Sequence, residues 1–159
     1  MWFGWNITKL VRLPLVMIYE CIYFANEIVD TKSILLMATN ASDIIALELR
    51  SMKEIFRLQI PIHHGTPTCF CMDRRKIWLV VGTSHGIIDM FDLRFLIRVK
   101  AWGLPGMTAI HRIALHPSKG RGKWMSVAGG CGQGEITVWD VEKVGINPGH
   151  LHTICDNDY

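Results

Sequence analysis

The 159-residue chain is short of proline, with 6, and of charge, with 19% Asp, Glu, Lys and Arg. Scarce proline in a chain that is 50% hydrophobic excludes a collagen-like or disordered polypeptide, because the apolar surface is ample to offset ordering entropy. An excess of one sign is lacking too, since 17 basic against 14 acidic residues leave only +3. So mild a balance gives net charge no say about nucleic acid or membrane. Only local clustering could point to either, and no nucleic-acid partner is expected. A long hydrophobic run is also missing. The apolar stretch 10–25 is broken by Arg12, Pro14 and Glu20, well short of the roughly 20 apolar residues of a membrane span. Neither a transmembrane segment nor a signal peptide is expected. The cysteines, Cys21, Cys69, Cys71, Cys131 and Cys155, are odd in number and follow no framework, which suits free thiols in a reducing compartment. The sequons at Asn6 and Asn40 would matter only in a secreted protein and are read as chance.

What is present is a repeat. Three segments align, 43–49 (DIIALEL), 87–93 (IIDMFDL) and 135–141 (EITVWDV), each closing on a large apolar residue, an acid and an aliphatic. The repeat positions are Leu47-Glu48, Phe91-Asp92 and Trp139-Asp140, spaced 44 and 48 residues apart. Both intervals are close to the roughly 40–45-residue period of WD-repeat blades, and Trp139-Asp140 is the dipeptide itself. Ahead of each segment lies a short aliphatic run fit for a buried strand: 33–39, 77–83 and 124–129. Asn40-Ala41-Ser42, Ser84-His85-Gly86 and the glycine-rich 130–134 supply hairpin turns between them. Further upstream, 67–73 and 110–117 read as the innermost strands of the second and third units.

The expected fold is therefore all-β, a partial WD-repeat β-propeller of about three blades, open because a ring needs about 4–8. The blades are expected at about 31–60, 66–102 and 108–143, the last incomplete after its third strand. Residues 1–30 and 144–159 stay unassigned, as an N-terminal segment and a tail.

Chemistry is sparse. Phosphoryl transfer needs a base, a metal-holding acid and a lysine together. Here Gly130–Gly134 lacks the phosphate-loop spacing, His111-Arg112-Ile113 lacks the catalytic aspartate, and Asp89-Met90-Phe91-Asp92 is not D-F-G. His63, His64, Cys69 and Cys71 lack the second ligand pair of a zinc site, and His150, His152 and Cys155 are weaker still. Cys69 and Cys71 read instead as core thiols facing one side of a strand. A pairing of Cys131 with His85 or His111 carries almost no signal. No catalytic residue, metal or cofactor is expected, and Trp139 and His116 read as structural. The aspartate usual in the turn between second and third strands is missing from Ser84-His85-Gly86 and from the Gly130 loop, which puts the usual internal hydrogen-bond network in doubt. The main non-structural signal is charge placement. Arg74, Arg75 and Lys76, and Lys119, Arg121 and Lys123, lie between the first and second strands of successive units. Equivalent loops emerge on one rim, where six cations would attract anionic lipid, acidic segments or nucleic acid.

Several loop runs add specificity: 61–71 (PIHHGTPTCFC), 81–86 (VGTSHG), Asp92-Leu93-Arg94-Phe95, Ile110-His111-Arg112 with His116-Pro117, and 120–143. Over about residues 31–143 their order resembles the C-terminal WD-repeat propeller of a family in its fungal form. That family is the regulatory serine/threonine protein-kinase subunit of the class III phosphatidylinositol 3-kinase complex. The two ends match nothing in it, as a truncated or mis-joined gene product would. The resemblance implies a non-catalytic scaffold for this piece, since the family's protein kinase domain lies N-terminal to a helical-repeat middle. Implied partners are the lipid kinase catalytic subunit and coiled-coil subunits in vacuolar protein sorting and autophagy. The implied location is cytoplasmic, peripheral on endosomal, vacuolar or autophagic membranes. The competing expectation is a WD-repeat adaptor that binds acidic peptides or phosphoinositides through the basic rim.

Overall fold

Short runs of β-branched and aliphatic residues punctuated by Gly, Asn and Ser have one economical use, the antiparallel hairpin. A computed structural model shows them used that way throughout. The structure describes residues 22–24, 33–48, 50–73, 75–104, 106–116, 124–129, 136–141 and 152–154. Among these lie twelve strands. The first four are β1 (Ile22–Phe24), β2 (Ser33–Ala38), β3 (Asp43–Glu48) and β4 (Lys53–Gln59). The next four are β5 (Pro67–Met72), β6 (Trp78–Thr83), β7 (Ile87–Asp92) and β8 (Ile97–Gly103). The last four are β9 (Ile110–Leu115), β10 (Trp124–Gly129), β11 (Ile136–Asp140) and β12 (His152–Ile154). They form three separate four-stranded meanders, β1 to β4, β5 to β8 and β9 to β12. The described residues contain one 3-10 turn, Ile62–His64, and no α-helix.

The sheets are copies of one design, the partial open propeller expected. Leu47, Phe91 and Trp139 stand opposite Leu35, Leu79 and Met125 in the neighbouring strand, and the acids that follow stand opposite Ile34, Trp78 and Trp124. The repeat positions are thus equivalent in space as well as in sequence. Even the irregularities recur. A β-bulge leaves Ile55 unpaired in β4 opposite the Ala46–Leu47 step, and Val99 unpaired in β8 opposite Met90–Phe91.

The third sheet departs from expectation, because it does not stop at three strands: His152–Ile154 pairs with Ile136–Val138. The first likewise gains Ile22–Phe24, paired with Ser33–Leu35. Three-residue strands are too short to show a period, yet the backbone edges of β2 and β11 need partners.

Burial explains the stacking. One cluster joins Leu36, Ile44 and Leu58 of the first sheet to Phe70, Leu79 and Phe91 of the second. Another joins Val80 and Ile88 of the second to Ile110, Met125 and Val127 of the third. Neighbouring residues Leu79 and Val80 therefore serve opposite interfaces, which is why β6 reads as an unbroken apolar run. Between sheets the chain turns tightly. Gly86 has φ +75°, and a Cβ there would stand 2.6 Å from the carbonyl oxygen of Thr108 in the connector to the third sheet. Leu104 N–H donates to the Gly86 carbonyl at 2.8 Å and holds that connector against the hairpin. Gly86→Ala is expected to lower unfolding stability by about 2 kcal/mol in urea titration, whereas Ile55→Ala at the exposed bulge should change it by under about 0.5 kcal/mol.

Candidate functional site: a buried acid and a charged rim

In the third strand of each sheet, the residue two before the motif's large apolar position is buried: Ile45, Asp89 and Thr137. The slot tolerates polarity only when every polar atom is satisfied. In the third sheet Trp139 Nε1–H donates to Thr137 Oγ1 at 2.8 Å, and Thr137 Oγ1–H donates to the Val127 carbonyl at 3.4 Å. In the second the slot holds a carboxylate, Asp89, fully excluded from solvent. Its Oδ2 lies 2.8 Å from His64 Nδ1, and its Oδ1 lies 3.4 Å from an Arg98 guanidinium nitrogen. His64 ends the 3-10 turn that carries the chain from the first sheet to the second. The pair therefore ties an inter-sheet connector to a central strand, and Arg98 of β8 balances the charge.

Sequence reasoning missed this tie. It looked for an aspartate in the hairpin turn, and there the structure places threonine. Thr83 Oγ1 accepts from Ile87 N–H at 3.1 Å and donates to the Ile87 carbonyl at 2.9 Å. Thr39 Oγ1, at the same place in the first sheet, accepts from Asp43 N–H at 3.2 Å. Threonine hydroxyls thus close these turns in the first and second sheets. The available signal was an acid inside an apolar strand, additional to the motif's own Asp92 and aligned with Thr137.

The remaining candidates are placed as follows. Glu48 accepts a hydrogen bond from the Ser51 hydroxyl. Asp92 accepts from the Arg94 backbone N–H at 2.9 Å and pairs with its guanidinium at 2.6 Å. That side-chain hydrogen bond holds the Asp92 carboxyl below its ordinary range. Trp139 lies 6.0 Å from Trp102 of the second sheet, ring centre to ring centre. Leu47 and Phe91 are buried, and Asp140 ends β11. Of the rim cations, Arg75 is exposed and Lys76 is half-buried in the turn 73–77, while Arg74, Lys119, Arg121 and Lys123 lie outside the described residues. That turn is built on the buried Asp73, whose Oδ1 accepts from Ile77 N–H at 2.6 Å and Trp78 N–H at 3.0 Å.

Cys69 and Cys71 pack beside the interface between second and third sheets. Burial pushes the Cys69 thiol up, which suppresses the thiolate that a nucleophile or metal ligand needs. His85 Nδ1 lies 3.3 Å from the His63 carbonyl, and His111 is exposed on β9. Cys131, His150, His152 and Cys155 are not among the residues whose side chains are described. No helix of the described residues is long and apolar enough to cross a membrane.

Asp89→Ala, which strips a buried charge partner from His64 and Arg98, should cost about 3 kcal/mol in chemical denaturation. In a double-mutant cycle it should couple to His64→Ala. The Asp92 tie has a defined acid limit. Its folded-state pKa lies below the ordinary value of about 3.9, so the pairing is fully present above that pH and is lost as pH falls through the folded-state value. An NMR titration of the Asp92 carboxyl should therefore shift to higher pH in Arg94→Ala.

No family model matches the chain. Pairwise similarity is more informative. The chain is 33% identical over 115 residues, 69% of its length, to a Komagataella pastoris protein assigned to serine/threonine-protein kinase VPS15. It is 28% identical over 120 residues, 76% of its length, to serine/threonine-protein kinase VPS15 of Saccharomyces cerevisiae. With VPS15 of Arabidopsis thaliana it shares 33% identity over 72 residues. The match spans only 9% and 8% of the two yeast proteins and 5% of the plant one. The similarity is thus to proteins of one name, VPS15, in two yeasts and a plant.

Proposed function

We propose that the chain is a non-catalytic interaction scaffold, the propeller portion of a VPS15-type regulatory subunit that helps assemble a class III phosphatidylinositol 3-kinase complex. The observation that carries this reading is how the acids of the second sheet are used. Asp73 closes a turn, Asp89 holds His64 and Arg98, and Asp92 holds Arg94. Each is committed to a structural tie, which leaves none poised as a general base or metal ligand, while the stacked sheets display rims and edges. The named relatives are protein kinases, and the portion matched is under a tenth of them, which fits a reading in which kinase chemistry lies outside this portion. The partners are the lipid kinase catalytic subunit and coiled-coil subunits, met at endosomal, vacuolar or autophagic membranes during vesicle sorting and autophagy.

The test is affinity purification of the tagged chain from yeast cells. Phosphatidylinositol 3-kinase activity should co-purify, and the purified chain alone should transfer no phosphate from ATP to protein. Recovery without lipid kinase activity, or intrinsic protein phosphorylation, would refute the assignment.

A further inference from the structure

The hairpin joining β7 to β8 has a composition its geometry does not require. Phe95, Leu96 and Ile97 are 67%, 44% and 54% exposed. Leu96 has φ +56°, a left-handed conformation that favours Gly or Asn and penalises a branched apolar side chain. The first sheet makes the corresponding turn after β3, with Met52 at φ +54° and the same bulge beyond it. In that turn Ser51 and Lys53 occupy the places of Phe95 and Ile97. At the central place Met52, packed against Met37, Ile45 and Leu47, matches Leu96, so the turn accounts for an apolar Leu96 but not for exposed Phe95 and Ile97.

Its surroundings are cationic. Leu93 N–H donates to the Ile77 carbonyl at 2.8 Å, which brings the tip to the same sheet end as the turn carrying Arg75 and Lys76. Residues 73–77 and 92–100 together hold Arg74, Arg75, Lys76, Arg94, Arg98 and Lys100 against Asp73 and Asp92, with Arg98 also reaching the buried Asp89. The Asp73 carboxylate is buried in its own turn. No acid follows Asp92 until Glu135. The Arg94 guanidinium carbon stands 5.3 Å from the centre of the Phe95 ring and stacks a cation on the aromatic face.

We propose that this hairpin is an interfacial anchor for an anionic bilayer. Phe95 and Leu96 enter the boundary between headgroups and acyl chains, and the exposed Arg75 together with Arg94, 59% exposed beside its partner Asp92, lies among phosphate and carboxylate groups. Such sites combine a small apolar projection with long cationic side chains whose stems lie along the apolar zone. A bilayer fits better than a protein, because a stable protein interface buries about 800 Å² per partner and a three-residue tip offers far less. The inference is independent of the scaffold reading.

Flotation of the full chain with phosphatidylserine-containing vesicles, against pure phosphatidylcholine vesicles, tests it. The chain should float with the former only, and added salt should weaken binding by screening. Arg75→Glu should cut the bound fraction about five-fold or more, and Phe95→Asp should abolish detectable flotation. Phe95→Ser should weaken flotation while leaving thermal melting unchanged, so a folding defect in the other variants would not obscure the result. Equal flotation of wild type and Phe95→Ser, or no preference for anionic vesicles, would overturn the proposal. So would capture of the wild type by an acidic peptide without vesicle binding. Loss of flotation in Phe95→Ser with lipid kinase still co-purifying would support the anchor and leave the scaffold reading standing.

Discussion

The inner strand β6 of the middle sheet has no solvent face, and the rest of the molecule is arranged around that fact. Leu79 and Val81 point into one interface and Val80 into the other, so β6 is covered only when a sheet lies on either side. A four-stranded unit of this kind cannot hide both faces by itself, and stability must come from its neighbours. The connectors are held correspondingly tight. Ile62–His64 is pinned by Asp89, and the approach of Thr108 to Gly86 leaves no room for a side chain.

Burial also explains the polar chemistry inside the blades. The third-strand slot is dry in all three sheets, and each sequence solves it differently. Ile45 avoids the problem, Thr137 shares its hydroxyl between an indole and a carbonyl, and Asp89 takes a histidine and an arginine. An acid in such a place is costly unless paired, so the sheet that carries it must also carry His64 and Arg98. A charged residue in the centre of a blade is in this protein part of the frame.

The fold was legible in the sequence because its strongest signals are repeated. The triplets opening at Leu47, Phe91 and Trp139 recur at nearly constant spacing, and the aliphatic runs before them precede each triplet in the same order. What escaped was either short or displaced. Ile22–Phe24 and His152–Ile154 are too brief to show alternation, and pairing to a neighbour defines them. The His64–Asp89 tie joins residues 25 apart in the chain through a side-chain contact that no local pattern encodes. The run Arg74-Arg75-Lys76 was visible as sequence. The exposure of Phe95 was not, because an aromatic in an apolar-rich chain reads by default as core.

The recurrent bulge bears on how such a molecule can grow. Ile55 and Val99 interrupt the ladder at matching points of β4 and β8, the last strand of their respective meanders. A kinked, over-twisted margin is a poor template for an incoming extended chain. Association is thereby steered away from side-by-side strand addition, the geometry of fibrils, and towards face-on stacking of whole sheets.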